Sequence, residues 1–165
     1  MNGVGPRSIL TIDGPSGAGK STFATKLAEA HPDWVLVSMD DVYPGWTGMY
    51  AAVEQIRDEL IAPIRAGQQG EWTRYDWELG SAVARFAVEA DSKLIIEGCG
   101  ATVTVPESDA GIRQLWLDID EEQRRERILQ RDGTQFDEFW PIWDAQWDDY
   151  MLTASVHRRV DHFFA

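Results

Sequence analysis

One eight-residue segment near the start of the chain has residue types and a spacing that suit phosphate binding. Residues 14–21, Gly-Pro-Ser-Gly-Ala-Gly-Lys-Ser, match the pattern G-x-x-x-x-G-K-[ST] at every fixed position. The glycines let the backbone curl so that successive N–H groups point at phosphate oxygens, and the helix that follows adds its positive end. Lys20 is expected to lie in solvent until it reaches the β- and γ-phosphates, and Ser21 to ligate Mg²⁺.

This segment predicts a site for ATP and Mg²⁺, with phosphate contacts from Gly14, Ser16, Gly17, Ala18, Gly19, Lys20, Ser21 and Thr22. A Gly-rich turn that arose by chance is the alternative, but the segment lies between a β-branched strand and a helix, as the motif requires. The motif alone does not distinguish a kinase from an ATPase or a GTPase. The sequence has no N-K-x-D and no D-x-x-G segment, which disfavours a GTPase.

Carboxylates follow two apolar segments that resemble strands. Asp40 and Asp41 come directly after residues 34–38, and Glu97 ends the apolar run 93–97. A kinase must orient an acceptor hydroxyl and accept its proton, so Asp40 is predicted to be the base, with Asp41 as its rival. A helix cap, a loop carboxylate or a water-mediated Mg²⁺ contact are the alternatives for this pair. Glu97 is costly in an apolar strand without a partner, so it is predicted to hold Mg²⁺ together with Ser21.

Candidate contacts to the acceptor come from Tyr43, Tyr75, Asp76 and Asp41. Tyr43, Tyr75 and Trp77 are predicted to stack on a planar substrate, and Asp76 to accept hydrogen bonds from it. Packing at the edge of a core is the alternative for both tyrosines, because the chain also has eight tryptophans to bury.

Three arginines recur at helical spacing further along the chain. Arg124, Arg127 and Arg131 lie at i, i+3 and i+7, on one face of a charged helix. Such a row is suited to clamping phosphates and neutralising charge in a transition state, so Arg127 and Arg131 are predicted to be catalytic and Arg124 to contact substrate. The alternative is a solvated face paired with neighbouring glutamates. The segment of about 124–136 is predicted to act as a short helical lid.

The elements that must position these side chains alternate between strands and helices. Strands are predicted over residues 8–12, 34–38, 93–97, 112–118 and 160–164. Helices are predicted over residues 20–30, 49–65 with an end near Pro63, 79–90, 121–131 and 136–154. The last helix is expected to pack Trp140, Trp143 and Trp147 against the core.

This alternation predicts one α/β domain over residues 1–165. The expected architecture is a three-layer α/β/α sandwich with a five-stranded parallel sheet and helices on both faces. Ligands of such sheets bind beyond the carboxyl ends of the strands. We therefore expect the acidic residues that follow the strands to converge there: Asp13, Asp40, Asp41, Glu97 and Asp118.

The motifs, taken in order, resemble those of uridine kinases and their relatives, the phosphoribulokinases and pantothenate kinases. The likeness rests on the phosphate loop, Ser38 to Tyr43, Arg74 to Trp77, Ile95 to Gly98, and Trp116 to Asp120 with the arginines that follow. It covers roughly Ile9 to Asp132. This resemblance implies a magnesium- and ATP-dependent phosphotransferase whose acceptor is a nucleoside such as uridine or cytidine.

The chain departs from that family after Asp132, where Gly133-Thr134-Gln135-Phe136 replaces further arginines. Its length also leaves little room for an added substrate-binding hairpin. A sugar, a vitamin precursor or a nucleoside monophosphate is therefore an alternative acceptor, and a regulatory ATPase without a small acceptor is an alternative function.

Composition narrows the partners to small molecules. The 165 residues carry a formal net charge of −13, which disfavours nucleic acid and anionic membrane surfaces. The sequence has no apolar run of membrane-spanning length and no signal-peptide pattern, and Cys99 is its one cysteine, so we expect a cytoplasmic protein without an intrachain disulfide.

Overall fold

The computed structural model describes residues 8–107 and 111–164. The strands in this part of the chain are β1 Ile9–Asp13, β2 Trp34–Ser38, β3 Gly70–Asp76, β4 Ser81–Val88, β5 Lys93–Glu97, β6 Ile112–Leu117 and β7 His162–Phe164. The main sheet has the order β2-β5-β1-β6-β7, and all its neighbouring strands are parallel. The prediction of an α/β fold with a parallel sheet is therefore confirmed.

Alternating side chains bury both faces of this sheet. On one face, Leu10 and Ile12 of β1 and Ile95 of β5 pack with Ala24 and Leu27 of the first helix. On the other face, a larger cluster joins alternate residues of the same strands to the helices formed by residues 49–65 and 140–153. A strand that is apolar on both sides needs cover on both sides, which explains the nearly continuous apolar runs in the sequence.

The helices are α1 Lys20–Ala30, α2 Met49–Gln55, α3 Ala62–Arg65, α4 Glu121–Asp132, α5 Trp140–Thr153 and α6 Val156–Arg159. A π-helical segment, Ile56–Ile61, joins α2 to α3, so residues 49–65 form one continuous helical run as predicted. The run continues to Arg65 and does not stop at Pro63. The proline directly follows the π-helical segment, so the helical hydrogen-bond pattern already changes before it.

Residues 79–90 do not form the predicted helix. Residues 81–88 form β4, which pairs antiparallel with β3, a strand that was not predicted. The pairing sets Trp72 opposite Phe86, and their rings stack at 4.7 Å. Gly80 takes a positive φ of 63° in the connecting turn. The alanines of this segment favour a helix, but cross-strand packing outweighs that propensity. The expectation that the chain has little room for a hairpin is therefore wrong.

The C-terminal half of the described chain packs aromatic side chains on the sheet. Trp147 of α5 stacks on Trp116 of β6 at 5.7 Å, and Trp143 is buried. The helix begins at Trp140 and not at Phe136, because residues 133–139 form turns. None of the helices in the described ranges is long and apolar enough to cross a membrane.

Candidate active site

The phosphate loop connects β1 at the centre of the sheet to the start of α1. Gly14 has a φ of 142°, and a Cβ atom there would lie 2.0 Å from the backbone oxygen of Leu117. Gly17 has a φ of 86°. These positions require glycine, because other residues would clash or be strained. Helix α1 begins at Lys20, directly after the loop, so its N-terminal N–H groups lie where an anion is favoured.

Asp13, the last residue of β1, holds the phosphate loop in place through hydrogen bonds. Its carboxylate accepts hydrogen bonds from the backbone N–H of Gly14 at 2.7 Å, of Gly100 at 3.2 Å and of Thr102 at 2.9 Å. The hydroxyl of Tyr150 donates a fourth at 2.6 Å. Burial raises the pKa of Asp13, and the hydrogen bonds act in the opposite direction. Asp13 therefore fastens the loop to the segment after β5 and to α5, and it does not face the ligand side.

Lys20 is buried, with 7% of its surface exposed. Its Nζ donates to the backbone oxygen of Pro15 at 2.8 Å and lies 3.7 Å from Sγ of Cys99. The expectation that Lys20 lies in solvent before a ligand binds is therefore wrong. The loop curls around the ammonium group and satisfies it internally, so a phosphate would replace protein contacts of this lysine as well as water.

Ser21 and Glu97 meet at the carboxyl edge of the sheet. The hydroxyl of Ser21 donates to Oε2 of Glu97 at 3.2 Å, and the hydroxyl of Ser38 donates to Oε1. Glu97 is 3% exposed, and burial raises the pKa of its carboxyl group. A hydroxyl and a carboxylate are the oxygen donors that Mg²⁺ prefers, so the pair fits this ion. Residues 8–107 and 111–164 hold no group of three His, Cys, Asp or Glu side chains that could bind a metal. Such an ion would therefore take its other ligands from phosphate and water.

A cavity of 820 Å³ opens beyond the carboxyl ends of β1, β2 and β5. Of the predicted site residues it is lined by Ser16, Gly17, Gly19, Lys20, Ser21, Thr22, Asp40, Tyr43, Tyr75, Glu97, Arg127 and Arg131. The fold therefore brings together the phosphate loop, one aspartate of the pair, the buried glutamate and two arginines, from four separate parts of the sequence.

Asp40 lies in the short 3₁₀ turn after β2 and faces this cavity. Asp40 is solvent-exposed at the cavity. Partial desolvation raises the pKa of its carboxyl group, while Lys20 and Arg131 act in the opposite direction. Arg127 reaches the loop, where its Nη1 donates to the backbone oxygen of Gly17 at 3.4 Å. Arg131 forms a two-pronged pair with Asp132 at 2.6 and 2.7 Å.

Three predicted substrate contacts do not line this cavity. Asp41 lies 3.8 Å from Nε of Arg74 on the hairpin. Asp76 accepts hydrogen bonds from two backbone N–H groups of the β3–β4 turn, so it caps that turn. Arg124 is held by Glu121 and lines a second cavity of 520 Å³ next to α5.

The expected convergence of acidic residues after the strands is therefore partial. Asp40 and Glu97 face the main cavity, whereas Asp118 lines the second one. The row of three arginines also splits, because α4 turns Arg127 and Arg131 toward the main cavity and Arg124 away from it.

The family of the chain follows from its match to a known profile. A profile described as an AAA domain, AAA_18, matches residues 10–139, which include the phosphate loop, Asp40, Glu97 and α4. The chain belongs to this AAA domain family. No curated protein gives a significant match to the AAA domain chain.

Solved structures agree with this assignment at the level of the fold. A possible uridine kinase from Bacillus stearothermophilus is similar with a TM-score of 0.64 and 24% identity, over 96% of this chain and 89% of that one. An uncharacterized protein from Eubacterium ventriosum is similar with a TM-score of 0.52 and 16% identity, over 96% of this chain and 87% of that one. The predicted resemblance to uridine kinase-like P-loop proteins is thus confirmed as a likeness of fold.

The AAA domain chain also has site residues that sequence reasoning missed. The far wall of the cavity is aromatic and is formed by Trp46, Trp77, Phe136, Phe139, Trp140 and Trp143, together with Tyr43 and Tyr75. Trp46 is its centre, stacked on Phe139 at 5.3 Å and edge-on to Trp77 at 5.4 Å. We call these eight residues the aromatic wall. The sequence predicts Tyr43, Tyr75 and Trp77 as substrate contacts, and it predicts Trp140 and Trp143 as packed against the core, which they are. Trp46, Phe136 and Phe139 were not predicted.

Two members of the aromatic wall are fixed to the rest of the site. Tyr43 is buried and donates its hydroxyl to the backbone oxygen of Cys99 at 2.7 Å, so its ring and not its hydroxyl forms the wall. The indole of Trp143 packs edge-on against that ring at 4.8 Å and donates to the hydroxyl of Ser16 at 3.2 Å. The wall is therefore attached directly to the phosphate loop.

Proposed function

We propose that this chain is a phosphotransferase that moves the γ-phosphoryl group of ATP to a hydroxyl group of a small metabolite, with Mg²⁺ bound. The observation that carries the proposal is that Asp40 faces the same cavity as the phosphate loop, beside a space large enough for a second molecule. An ATPase needs no such space, which favours a kinase over a regulatory ATPase.

The phosphates of ATP belong at the loop of residues 14–21. Backbone N–H groups of the loop and the start of α1 bind them, and Lys20 supplies a positive charge next to the β- and γ-phosphates. Arg127 already contacts the loop through Gly17 and would neutralise charge on the same oxygens. Gly14 and Ala18 act through the shape of the loop, because neither lines the cavity.

Ser21 and Glu97 would hold Mg²⁺, Glu97 through a water molecule. Bound there, the ion would neutralise phosphate charge and orient the transferring group. Ser38 and Ser21 keep the buried carboxylate of Glu97 in place by hydrogen bonds, so the chain presents oxygen ligands in a fixed position.

Asp40 acts as the base. As the acceptor oxygen forms its bond to the γ-phosphorus, the hydroxyl proton passes to the carboxylate of Asp40, and the bond from phosphorus to the bridging oxygen of ADP breaks. The pKa of Asp40 is raised, which makes its carboxylate a stronger acceptor for the hydroxyl proton. Asp41 is the rival candidate, but it lies outside the cavity lining and next to Arg74.

The segment of about 124–136 is the proposed lid. Arg131 pairs with Asp132 and is 58% exposed on its side chain, so it lies at the rim of the cavity and not in its core. Closing over bound ATP would exchange this pairing for contact with the transferring phosphoryl group, where an arginine stabilises developing charge.

A nucleoside is the first acceptor to test, on the strength of the motifs and of the fold shared with a possible uridine kinase. Tyr75 and the rest of the aromatic wall suit a planar ring. Sugars and vitamin precursors are the other unphosphorylated candidates. A nucleoside monophosphate is disfavoured, because Arg74, on the neighbouring hairpin, lies next to Asp41, and Arg131 is paired with Asp132.

The test is acceptor-dependent ADP release, with Mg²⁺ and ATP, across nucleosides, nucleoside monophosphates, sugars, hydroxymethyl heterocycles and amino alcohols. The phosphorylated product is identified by ³¹P NMR. We expect ADP release to rise with one class of unphosphorylated alcohol and to be lost in Asp40→Asn. ADP release that no acceptor changes would instead establish an ATPase.

A further inference from the structure

We propose that the acceptor site selects a positively charged alcohol, that is, an amine or ammonium compound whose apolar body lies against the aromatic wall. This inference rests on the proposed phosphotransferase function and names the class of its second substrate. It follows from two features that meet in the cavity, the faces of aromatic rings and an excess of carboxylates at the acceptor end.

The aromatic wall lines the acceptor end of the cavity with rings set at steep angles to one another. Trp46 and Trp77 meet at 71° and Tyr75 and Trp77 at 90°, so neighbouring rings form corners and not one flat surface. A cation within about 6 Å of a ring centroid is attracted by the negative face of the ring, most strongly for tryptophan. A corner of rings brings two aromatic side chains close to one compact cation.

The charged side chains of the cavity divide unevenly between its two ends. The cations among its lining residues are Lys20, Arg127 and Arg131, and the carboxylates are Asp40, Glu78, Glu97 and Asp132. Lys20 and Arg127 contact the phosphate loop. Glu97 lies with Ser21 on that side as well, so Asp40, Glu78 and the Arg131–Asp132 pair remain for the acceptor end.

Bound MgATP makes this imbalance larger. The nucleotide brings more negative charge than Mg²⁺ neutralises, and it occupies the cations of the loop. A second phosphate-bearing substrate would then meet the carboxyl groups of Asp40 and Glu78. A cationic substrate would instead be attracted to these two carboxyl groups. The net charge of −13 for the whole chain raises the local concentration of cations in the same direction.

The experiment compares two alcohols of equal shape that differ by one charge. Benzyl(2-hydroxyethyl)dimethylammonium and its carbon isostere, 3,3-dimethyl-4-phenylbutan-1-ol, are titrated by calorimetry into the protein saturated with Mg²⁺ and a non-hydrolysable ATP analogue. We expect the cation to bind about tenfold more tightly at low salt, the size of a desolvated cation–π contact. The preference should decrease as salt rises.

Matched variants locate the effect. Trp77→Leu should reduce the cation-to-neutral affinity ratio several-fold, whereas Phe86→Leu, equally exposed on the same hairpin, should leave it unchanged. Glu78→Gln should reduce the ratio by about two- to fivefold, and Glu54→Gln, outside the cavity, by less. All four variants should keep the affinity for the ATP analogue, which reports an intact fold.

Equal binding of the two alcohols, tighter binding of the neutral one, or no binding of either would overturn the proposal. Because the measurement requires no phosphoryl transfer, it fails or succeeds separately from the proposed function. If the cation binds selectively and ADP release still depends on no acceptor, the charge preference stands and the phosphotransferase assignment is wrong.

Discussion

The phosphate-loop end and the aromatic end of the cavity are assembled in different ways. The loop end comes from eight consecutive residues between β1 and α1, and its ligand groups are mostly backbone N–H. The aromatic end comes from the segment after β2, the β3–β4 hairpin and the segment that leads into and begins α5, and its surface is mostly side chains. The first end depends on local conformation and the second on packing between distant segments. Substitutions at the phosphate-loop end should therefore lower turnover by more than substitutions at the aromatic end.

The largest effect is expected for Lys20→Ala. Loss of this cation should lower turnover by about 10³–10⁵-fold, the range for a cation that acts on a transferring phosphoryl group. Because Lys20 is buried and donates to Pro15, the variant should also unfold at a lower temperature. Steady-state kinetics and thermal unfolding check both effects. Lys26→Ala, an exposed lysine on the same helix, is the control and should be neutral. Unchanged rates in a folded Lys20→Ala would refute the kinase assignment.

Asp40→Asn should lower kcat by about 10²–10⁴-fold with the true acceptor, because asparagine cannot take the hydroxyl proton. The KM for ATP should stay nearly constant, since the loop and not Asp40 binds the phosphates. Steady-state kinetics with both substrates varied test this separation. Asp41→Asn is the matched control, and we expect it to remain active. If Asp41→Asn is the impaired variant, Asp41 and not Asp40 is the base.

Arg131→Ala should lower kcat by about 10²-fold and affect the KM for ATP less, because a lid arginine acts on charge that develops during transfer. Arg125→Ala, on the solvent side of the same helix, is the control and should have wild-type kinetics, since its side chain is 74% exposed. Equal kcat values for the two variants would mean that α4 is only a solvated helix.

The smallest effect concerns the attachment of the loop to α5 through Asp13 and Tyr150. Burial raises the pKa of Asp13 above its ordinary value of 3.8, so the folded state binds this proton more tightly than the unfolded state. The hydrogen bond from Tyr150 favours the ionised carboxylate. Its contribution to stability is therefore present above the folded-state pKa and is lost as pH falls through it.

Tyr150→Phe should accordingly lower the free energy of unfolding by about 1.5–3 kcal/mol near pH 7. The difference from wild type should shrink in acid, once Asp13 is protonated. Urea denaturation at several pH values measures it. Tyr50→Phe removes a similar hydroxyl–carboxylate bond at the surface and should cost less at every pH. A penalty for Tyr150→Phe that is constant with pH would show that the bond does not depend on ionised Asp13.

The same contrast explains what could be predicted from the sequence. The phosphate loop, α1 and the parallel strands follow from local patterns, because apolar runs and a Gly-rich turn determine them within a few residues. The hairpin did not follow, since Ala82, Ala84 and Ala87 favour a helix and only the pairing of Trp72 with Phe86 selects a strand. Tyr43, Tyr75 and Trp77 of the aromatic wall could be predicted from the sequence. The part that precedes and begins α5 could not, because helical spacing identifies a buried face but not whether that face also borders a cavity.

Within the candidate site, Asp40 and Glu97 beside the main parallel sheet could be placed from the sequence, whereas Asp76 and Arg124 could not. Glu97 is the last residue of β5, so it must lie at the carboxyl edge of the sheet. Asp40 comes shortly after β2, the strand next to β5, and reaches the same edge. Asp76 and Arg124 have local partners, a turn and Glu121, that hold their side chains away from the cavity. Such local competitors are visible in the sequence only after the turn or the helix phase is known.

The contacts of α5 have a consequence for how this chain can be divided. Trp143 donates to Ser16, and Tyr150 donates to Asp13, so two side chains from the last part of the chain support the turn that carries the recognisable motif. A truncated fragment ending before residue 140 would keep every letter of the motif and lose both supports. Its phosphate loop would then have a buried carboxylate with one donor missing. The phosphate-loop motif is therefore continuous in the sequence, but the conformation of the loop also depends on contacts from α5.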